Sequence, residues 1–418
     1  MTVETGTTDF TADEVPRPYS EHISAAAMER LRDLAKQERA PQDLVTLSDR
    51  DLLSALGVVR EERLTHAGLL LAGREQSIRD HVPAYLWTYF RMRSDTEYDD
   101  RVDTAEPLPM ALGRITDRIM ASNPIATIKQ SMFHFEYRTY PDIAIREALM
   151  NAFCHRDFRI PGPIMVKQYP GRLEISNPGT FVGGISPDNI LHHSPVSRSP
   201  LLVDALTRLR LINRGNLGIP RMFASMLMEG KEPPIIQEQG NTVKVTFLAG
   251  ETSGPFRAFV ADQSRIGHEL TVDHLLILQY LIRHSEIDTS TAARVCQRQE
   301  SEVREILSQM ERQYSHIERG GTGRGTYWTM RSDLRRDLAA DSVPERDARI
   351  DWETAKTRIL SVLKQRAEHR EPGLTNREIR QIVRLDRNQV YRLVRQLMEE
   401  EPRIAIVGNK RYARYEYR

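Results

Sequence analysis

The residues of this chain best suited to chemistry lie in one short stretch, Arg146-Glu-Ala-Leu-Met-Asn-Ala-Phe-Cys-His-Arg-Asp157. Glu147, Asn151 and His155 are spaced four apart, so on a helix they form a stripe down one side. Ile145, Ala148, Leu149, Ala152 and Phe153 recur at i, i+3, i+4, i+7 and i+8, which predicts an amphipathic helix over 141–158 with the stripe opposite its apolar face. A carboxylate and a carboxamide one turn apart suit a magnesium nucleotide: Asn offers a neutral oxygen ligand, and Glu can orient a water. A solvated polar face with an internal hydrogen bond accounts for the same spacing. His192-His193 with His155 lack the regular spacing of a metal site. Cys154 and Cys296 are too few and too far apart for a disulfide framework or a structural zinc site, which fits a reducing cytoplasm.

The elements that must position this stripe follow from the flanking sequence. Ile164-Met-Val-Lys-Gln-Tyr169 and Arg172-Leu-Glu-Ile-Ser176 are joined by Pro170-Gly171 and predict a β-hairpin. The Gly/Pro/Ser/His-rich run from Asn177 to Ser199 is longer than an inert connection and is expected to close over the stripe. Helix is expected at 200–211 and again from about Ile219, and a last strand over 243–248. Upstream, helices are expected at 25–36, from Ser48 as N-cap, and over 108–120, with a strand at 85–90. Residues 1–20, rich in Thr, Glu, Asp and Pro, read as a disordered arm, 21–140 as an N-terminal α/β part, and 141–250 as the site-bearing domain.

Beyond a linker expected at 251–267, one pattern occurs twice: three helices and a β-ribbon. The copies cover 268–340 and 351–418, and these are the parts of a winged helix-turn-helix. In the second copy, Val390, Leu393, Val394, Leu397 and Met398 form an apolar face. Arg387, Asn388, Tyr391, Arg392 and Arg395 fall opposite, with Lys410 and Arg411 at the ribbon. Arg and Asn can read guanine and adenine edges, and the other charges can hold phosphates of double-stranded DNA. The first copy mixes Glu302, Arg304, Glu305, Glu311 and Arg312, a poorer phosphate face that suits a spacer or a homodimer surface. Gly320-Gly-Thr-Gly-Arg-Gly325 reads as its wing tip.

Lys and Arg number 59 against 58 Asp and Glu in 418 residues, so global charge points to no partner and only its distribution is informative. No G-x-x-x-x-G-K-[ST] loop is present, which argues against a helicase motor.

The segments 141–157, Leu173-Glu-Ile-Ser-Asn-Pro-Gly179, Ser197-Arg-Ser-Pro-Leu-Leu202 and Asn213-Arg-Gly-Asn-Leu-Gly-Ile-Pro-Arg-Met222 occur in order. Together they resemble the ATP-binding domain of RecG-related transcriptional regulators over about residues 45–250. The resemblance implies a gyrase/Hsp90-like α/β sandwich that binds ATP and magnesium, followed here by two winged helix-turn-helix domains. It implies Glu147 as the water-activating residue and Asn151 as the magnesium ligand. Asn177, Gly179, Gly183 and Gly184 would surround the adenine, and Gly215 and Gly218 would meet phosphates. The chain departs from the pattern in two places. Ile175-Ser-Asn-Pro-Gly179 lacks the adenine-reading Asp, and Gly215-Asn-Leu-Gly218 is a sparse glycine turn. Both departures count against a complete ATPase site, and the missing Asp leans toward a DNA-binding regulator whose divergent module senses or once sensed a nucleotide. The alternatives are a weak magnesium-dependent ATPase of phage defence or DNA maintenance, and an interaction scaffold with a dead pocket. Relatives often carry a Schlafen-type AlbA domain ahead of this unit, so a separate AlbA-type protein is an expected partner.

Overall fold

A computed structural model of the chain describes residues 9–130, 133–212, 215, 217–250, 253–320, 326–338, 352–369, 371–383, 385, 387–408 and 413–418. The side chains of 126–136, 354, 377, 381, 387 and 388 are outside this description. The chain divides into two compact units, Met1–Arg257 and Ala258–Arg418.

The first unit is built on a six-stranded mixed sheet. Its order is Ile235–Gln239, Thr242–Leu248, Arg172–Pro178, Ile164–Gln168, Trp87–Met92 and Tyr98–Thr104. Every pairing is antiparallel except Trp87–Met92 with Ile164–Gln168, which run parallel with Tyr89 opposite Val166. The expected hairpin forms around Pro170-Gly171, with the Tyr169 N–H donating to Arg172 O at 2.8 Å. Strict alternation seats Ile164, Val166, Leu173 and Ile175 inside. Two strands of the sheet precede residue 140 and four follow it, so the division between 21–140 and 141–250 is not a domain boundary.

The chemistry-bearing helix is Asp142–His155, three residues shorter at its end than its apolar pattern suggested. Arg156 leaves the helix at φ −58°, ψ 137°, because its side chain is drawn inward to backbone carbonyls. Ile145, Leu149 and Phe153 are fully buried, and Phe153 stacks on Trp87 at 6.1 Å between ring centroids. Met150 and Cys154 are buried too, so the apolar surface wraps most of the helix and leaves the polar stripe outside it. Helix Gly218–Leu227 packs along it.

Residues 9–20, expected as part of a disordered arm, are ordered. They form a 3₁₀ turn Phe10–Ala12, a strand Glu14–Pro18 and the start of helix Tyr19–His22. Buried Thr11 and Val15, and Phe10 stacked on His66 at 4.4 Å, give this stretch the apolar anchorage that its composition conceals. The expected linker is likewise mostly helix, Gly254–Arg265, with Phe256 fully buried. After Gly254-Pro255, the run Phe-Arg-Ala-Phe-Val-Ala-Asp-Gln-Ser-Arg contains no breaker. The hairpin Ile125–Gln130 with Phe133–Arg138 was not foreseen either.

The second unit holds the two sequence repeats. The first has helices Val272–Arg283, Thr289–Cys296 and Glu300–Arg312, with a three-stranded sheet ordered Ile287–Asp288, Tyr327–Met330, Ile317–Gly320. The second has helices Trp352–Glu368, Asn376–Val383 and Arg387–Glu400, and a sheet ordered Leu374–Thr375, Arg414–Tyr417, Ile404–Val407. The short first strand of each sheet is an element that the ribbon reading omitted. Arg358 pairs with Glu286, joining the second repeat to the first, and its guanidinium lies 5.0 Å from the Tyr327 ring centroid. Gly321–Gly325, the expected wing tip, lies outside the described residues.

Candidate functional site

A cavity of about 390 Å³ opens between helix Asp142–His155, the sheet and the 177–199 loop. The stripe forms one wall: Glu147, Asn151 and His155 all line it. Ile175, Val243, Val245 and Ile236 supply an aliphatic floor from three adjacent strands. The loop contributes Phe181, Val182, Ile185 and Val196, and helix Pro200–Arg208 adds Val203 and Asp204. The start of helix Gly218–Leu227 closes the remaining side.

At this corner, fit is tight. A Cβ on Gly218 would come within 2.9 Å of Glu147 Oε2 and 3.9 Å of Asn151 Oδ1. The glycine thus lets the helix start approach both polar side chains. Burial raises the pKa of half-buried Glu147 above the ordinary carboxylate value, against the pull of Arg146 and Arg221; Glu38 adds to the rise. The carboxyl therefore holds a proton more readily than an exposed one, as a general base or acid needs. Among the described residues, Asn151 Nδ2 is buried without a hydrogen-bond partner. An unpaired amide N–H costs about 1–3 kcal/mol, so this atom is a standing demand for an acceptor.

His155 opens to the cavity. The surrounding protein lowers its pKa by desolvation first, and Arg198 lowers it further, so the imidazole favours its neutral form. Burial pushes the neighbouring Cys154 thiol up to about 12, with Glu147 adding to the effect, so it is no nucleophile at neutral pH. Arg198 anchors the loop. It donates to Asp157 Oδ2 at 3.0 Å and Thr180 O at 2.8 Å, while its Nε is buried without an acceptor among the described residues. Burial alone would raise the Asp157 pKa, but hydrogen bonds from Arg159 and the charge of Arg198 hold it below the ordinary value. The loop is also tied to the sheet edge, where the Phe181 N–H donates to Glu238 Oε2 at 2.7 Å.

The expected residues are distributed unevenly. Glu147, Asn151, Asn177 and Gly218 line the cavity. Asn177 is buried and its Nδ2 donates to Pro178 O at 3.2 Å. Gly179, Gly183 and Gly184 shape the loop rather than lining the cavity, all at positive φ (130°, 63° and 84°). Gly215 is exposed and lies outside the lining, next to residues that are not described. Arg198 and Asp157 are the site residues that spacing did not single out. Both stand within quoted motifs, but only the fold brings them together.

In the second repeat, Val390, Leu393, Val394 and Leu397 are buried and Met398 packs partly against them, as the apolar pattern required. Tyr391, Arg392 and Arg395 are exposed, and Arg395 Nε lies 3.5 Å from Glu399. The side chains of Arg387 and Asn388, and Lys410 and Arg411 entirely, lie outside the described residues. In the first repeat, Arg304 pairs with Glu300 at 2.7 Å and Arg298 with Glu302 at 3.1 Å. No cluster of metal-ligating side chains occurs among the described residues, nor any helix long and apolar enough to cross a membrane.

Residues 162–247 match the family described as "Putative ATP-dependent DNA helicase recG C-terminal". The match spans the floor strands, the loop and helix Pro200–Arg208, and begins after the helix that carries Glu147 and Asn151. Residues 2–88 match a domain of unknown function, DUF8451. No curated protein matches the chain. Among solved structures, the DIP2311 protein from Corynebacterium diphtheriae is similar with a TM-score of 0.70 and 20% identity, over 99% of this chain and 71% of that one. That likeness shows a shared fold. The chain therefore contains an α/β domain of the ATPase-like, RecG C-terminal type, centred on the mixed sheet that floors the cavity.

Proposed function

We propose that the protein is a DNA-binding transcriptional regulator whose first unit senses a nucleotide, ATP with magnesium, in this cavity. The observation that carries the reading is the cavity's division into an aliphatic floor and one polar corner, where Asn151 Nδ2 lacks a partner among the described residues and Gly218 leaves room. The floor suits the flat apolar faces of a base, and the corner suits phosphate and metal. Asn151 Oδ1 would hold magnesium, and the backbone at the start of the Gly218 helix would meet phosphate oxygens. Bound magnesium would neutralise phosphate charge beside the Glu147 carboxylate. Glu147, with its raised pKa, would orient a water, which favours a second reading as a slow ATPase; phosphate release tests that reading directly.

The repeats of the second unit have the make-up of winged helix-turn-helix domains, and we assign DNA reading to the second. Its exposed Tyr391, Arg392 and Arg395 flank a well-buried apolar face, with Arg395 3.5 Å from Glu399, whereas in the first repeat Arg298 and Arg304 are held more closely by Glu302 and Glu300. Calorimetry with magnesium and ATP on the intact chain tests the sensor: wild type binds, and Asn151→Ala does not, with little change in Tm. Equal affinity in the variant, or no binding by wild type, refutes it. Anisotropy titrations across salt test the reader. Replacing Arg392 and Arg395 by Ala should lower the log–log salt slope by about 1–2 units. Asn388→Ala should cost about 1–3 kcal/mol on the preferred site alone. If Arg304→Ala loses more affinity, the reader is the first repeat; if no variant matters, the regulator reading fails.

A further inference from the structure

The helix Pro200–Arg208 forms a cavity wall through Val203 and Asp204, yet its own N-cap residue does not cap it: the Ser199 side chain makes no such hydrogen bond. The acceptor comes from 192 residues away in sequence. Asp9 Oδ2 accepts from the Leu201 N–H at 2.8 Å, while Oδ1 accepts from the Thr11 N–H at 2.9 Å and the Thr11 hydroxyl at 2.6 Å. The segment bearing Asp9 is fixed in turn. Phe10 stacks on His66, the Phe10 carbonyl is 3.0 Å from His66 Nδ1, and Thr11 is fully buried.

We infer that Asp9 is a positioning residue for the nucleotide cavity, and that the N-terminal strap carrying it sets how firmly the wall and the adjoining loop close. The inference rests on the nucleotide reading for its ligand but not for its mechanics. An anionic oxygen at a helix N-terminus satisfies a donor that the helix leaves unpaired and complements its dipole. Without it, the first turn of the Pro200 helix frays, and the loop that ends at Ser199 loses its fixed end. The strap is then a handle: a partner or a protease that removes it opens the cavity without touching any residue that meets ligand.

The test is hydrogen exchange on the full-length chain without ligand, comparing wild type, Asp9→Ala and Asp9→Asn. In Asp9→Ala, exchange at 201–204 and through 180–198 should rise about three- to thirtyfold, the range for losing a helix cap. Asp9→Asn keeps an acceptor oxygen and should recover most of the protection. In a Cys296→Ala background, thiol labelling of buried Cys154, which lines the cavity, should accelerate in the same order. The magnesium–ATP Kd should weaken about fivefold or more in Asp9→Ala and less in Asp9→Asn, as the closed population falls. Unchanged exchange and labelling, or a rise spread evenly over the first unit, overturns the strap. Failure of wild type to bind nucleotide overturns the ligand reading instead, while exchange and labelling still decide the strap.

Discussion

Arg156 is fully buried at the end of the site-bearing helix, and replacing it asks what holds that helix in register with the sheet. Its guanidinium donates to Asp157 O and Gly162 O at 2.7 Å, to Ile160 O at 3.2 Å, and to Ala84 O. It also lies 5.2 Å from the Phe158 ring centroid. These carbonyls flank the entries to the parallel strand pair. Desolvation opposes the arrangement and pulls the pKa down to about 10, although Tyr85 and Asp157 partly offset it. In Arg156→Ala the desolvation cost vanishes, but four carbonyls lose their donor: that of buried Asp157 at about 1–3 kcal/mol, and those of half-buried Ala84, Ile160 and Gly162 at less, since water entering the space left reaches them. A net loss of about 3–5 kcal/mol is expected, which lowers Tm by roughly 10 °C for a unit of this size. Lys is a point charge without the planar fork and should restore less than half. Scanning calorimetry of wild type, Ala, Lys and Met variants decides the matter. If Arg156→Met melts at or above wild type, the buried charge costs more than its bonds return, and the reasoning is wrong.

Gly179→Ala should destabilise the first unit by about 1–3 kcal/mol in chemical denaturation. The residue sits at φ 130°, and a Cβ would meet Asp157 N at 3.2 Å and His155 O at 3.3 Å. Burial, with the nearby charges of His274 and His268, lowers the His316 pKa from 6.5 to about 4. The unfolded chain therefore binds that proton more readily, and the second unit should lose about 2–3 kcal/mol as pH falls from 6.5 towards 4. His316→Gln should flatten this pH profile; an unchanged slope refutes the assignment. Phe256 is fully buried, and a Cβ on Gly230 would approach its Cβ to 3.3 Å. A fragment ending at 250 should therefore melt well below one ending at 266, by about 3–5 kcal/mol if the ring behaves as other buried phenylalanines do. Equal Tm values would show that Phe256 contributes nothing to the first unit.

What the sequence made legible follows from how local each signal is. The hairpin around Pro170-Gly171 and the helices of both repeats were readable because periodicity and turn chemistry act over a few residues. Glu147 and Asn151 were readable as a stripe for the same reason. That the stripe faces a pocket under the 177–199 loop was expected from the length of that loop; which strands floor the pocket was not, because Ile236, Val243 and Val245 stand up to about a hundred residues away in sequence. Residues 1–8 of the expected arm lie outside the described residues; 9–20 were misread because composition counts Thr, Glu and Pro but does not register that Phe10 and Val15 find His66 and the core. The division between the units falls at Arg257–Ala258, inside the linker expected at 251–267, but the segment's helical form was missed because the shift in composition was read ahead of the local propensity of 256–265, which is helical throughout. Arg198 and Asp157 are 41 residues apart and meet only through the loop.

The helix Asp142–His155 has two tasks that constrain one another. Ile145, Leu149 and Phe153 commit its inner side to the core, so its backbone is fixed and the stripe side chains move only within their own rotamers. Groups placed that way meet a ligand with little ordering cost, which is what a sensing or catalytic corner requires. The same rigidity means that the helix does not gate access. Entry must then be governed by the opposite wall, where the 177–199 loop is held by a few polar links: Arg198 to Asp157 and Thr180, Phe181 to Glu238, and the Asp9 cap on the helix that follows. Each link is individually worth about 1–3 kcal/mol. Loosening one shifts a population without dismantling the core. Substitutions in the stripe should therefore change what the cavity does, and substitutions in the links should change how often it is open.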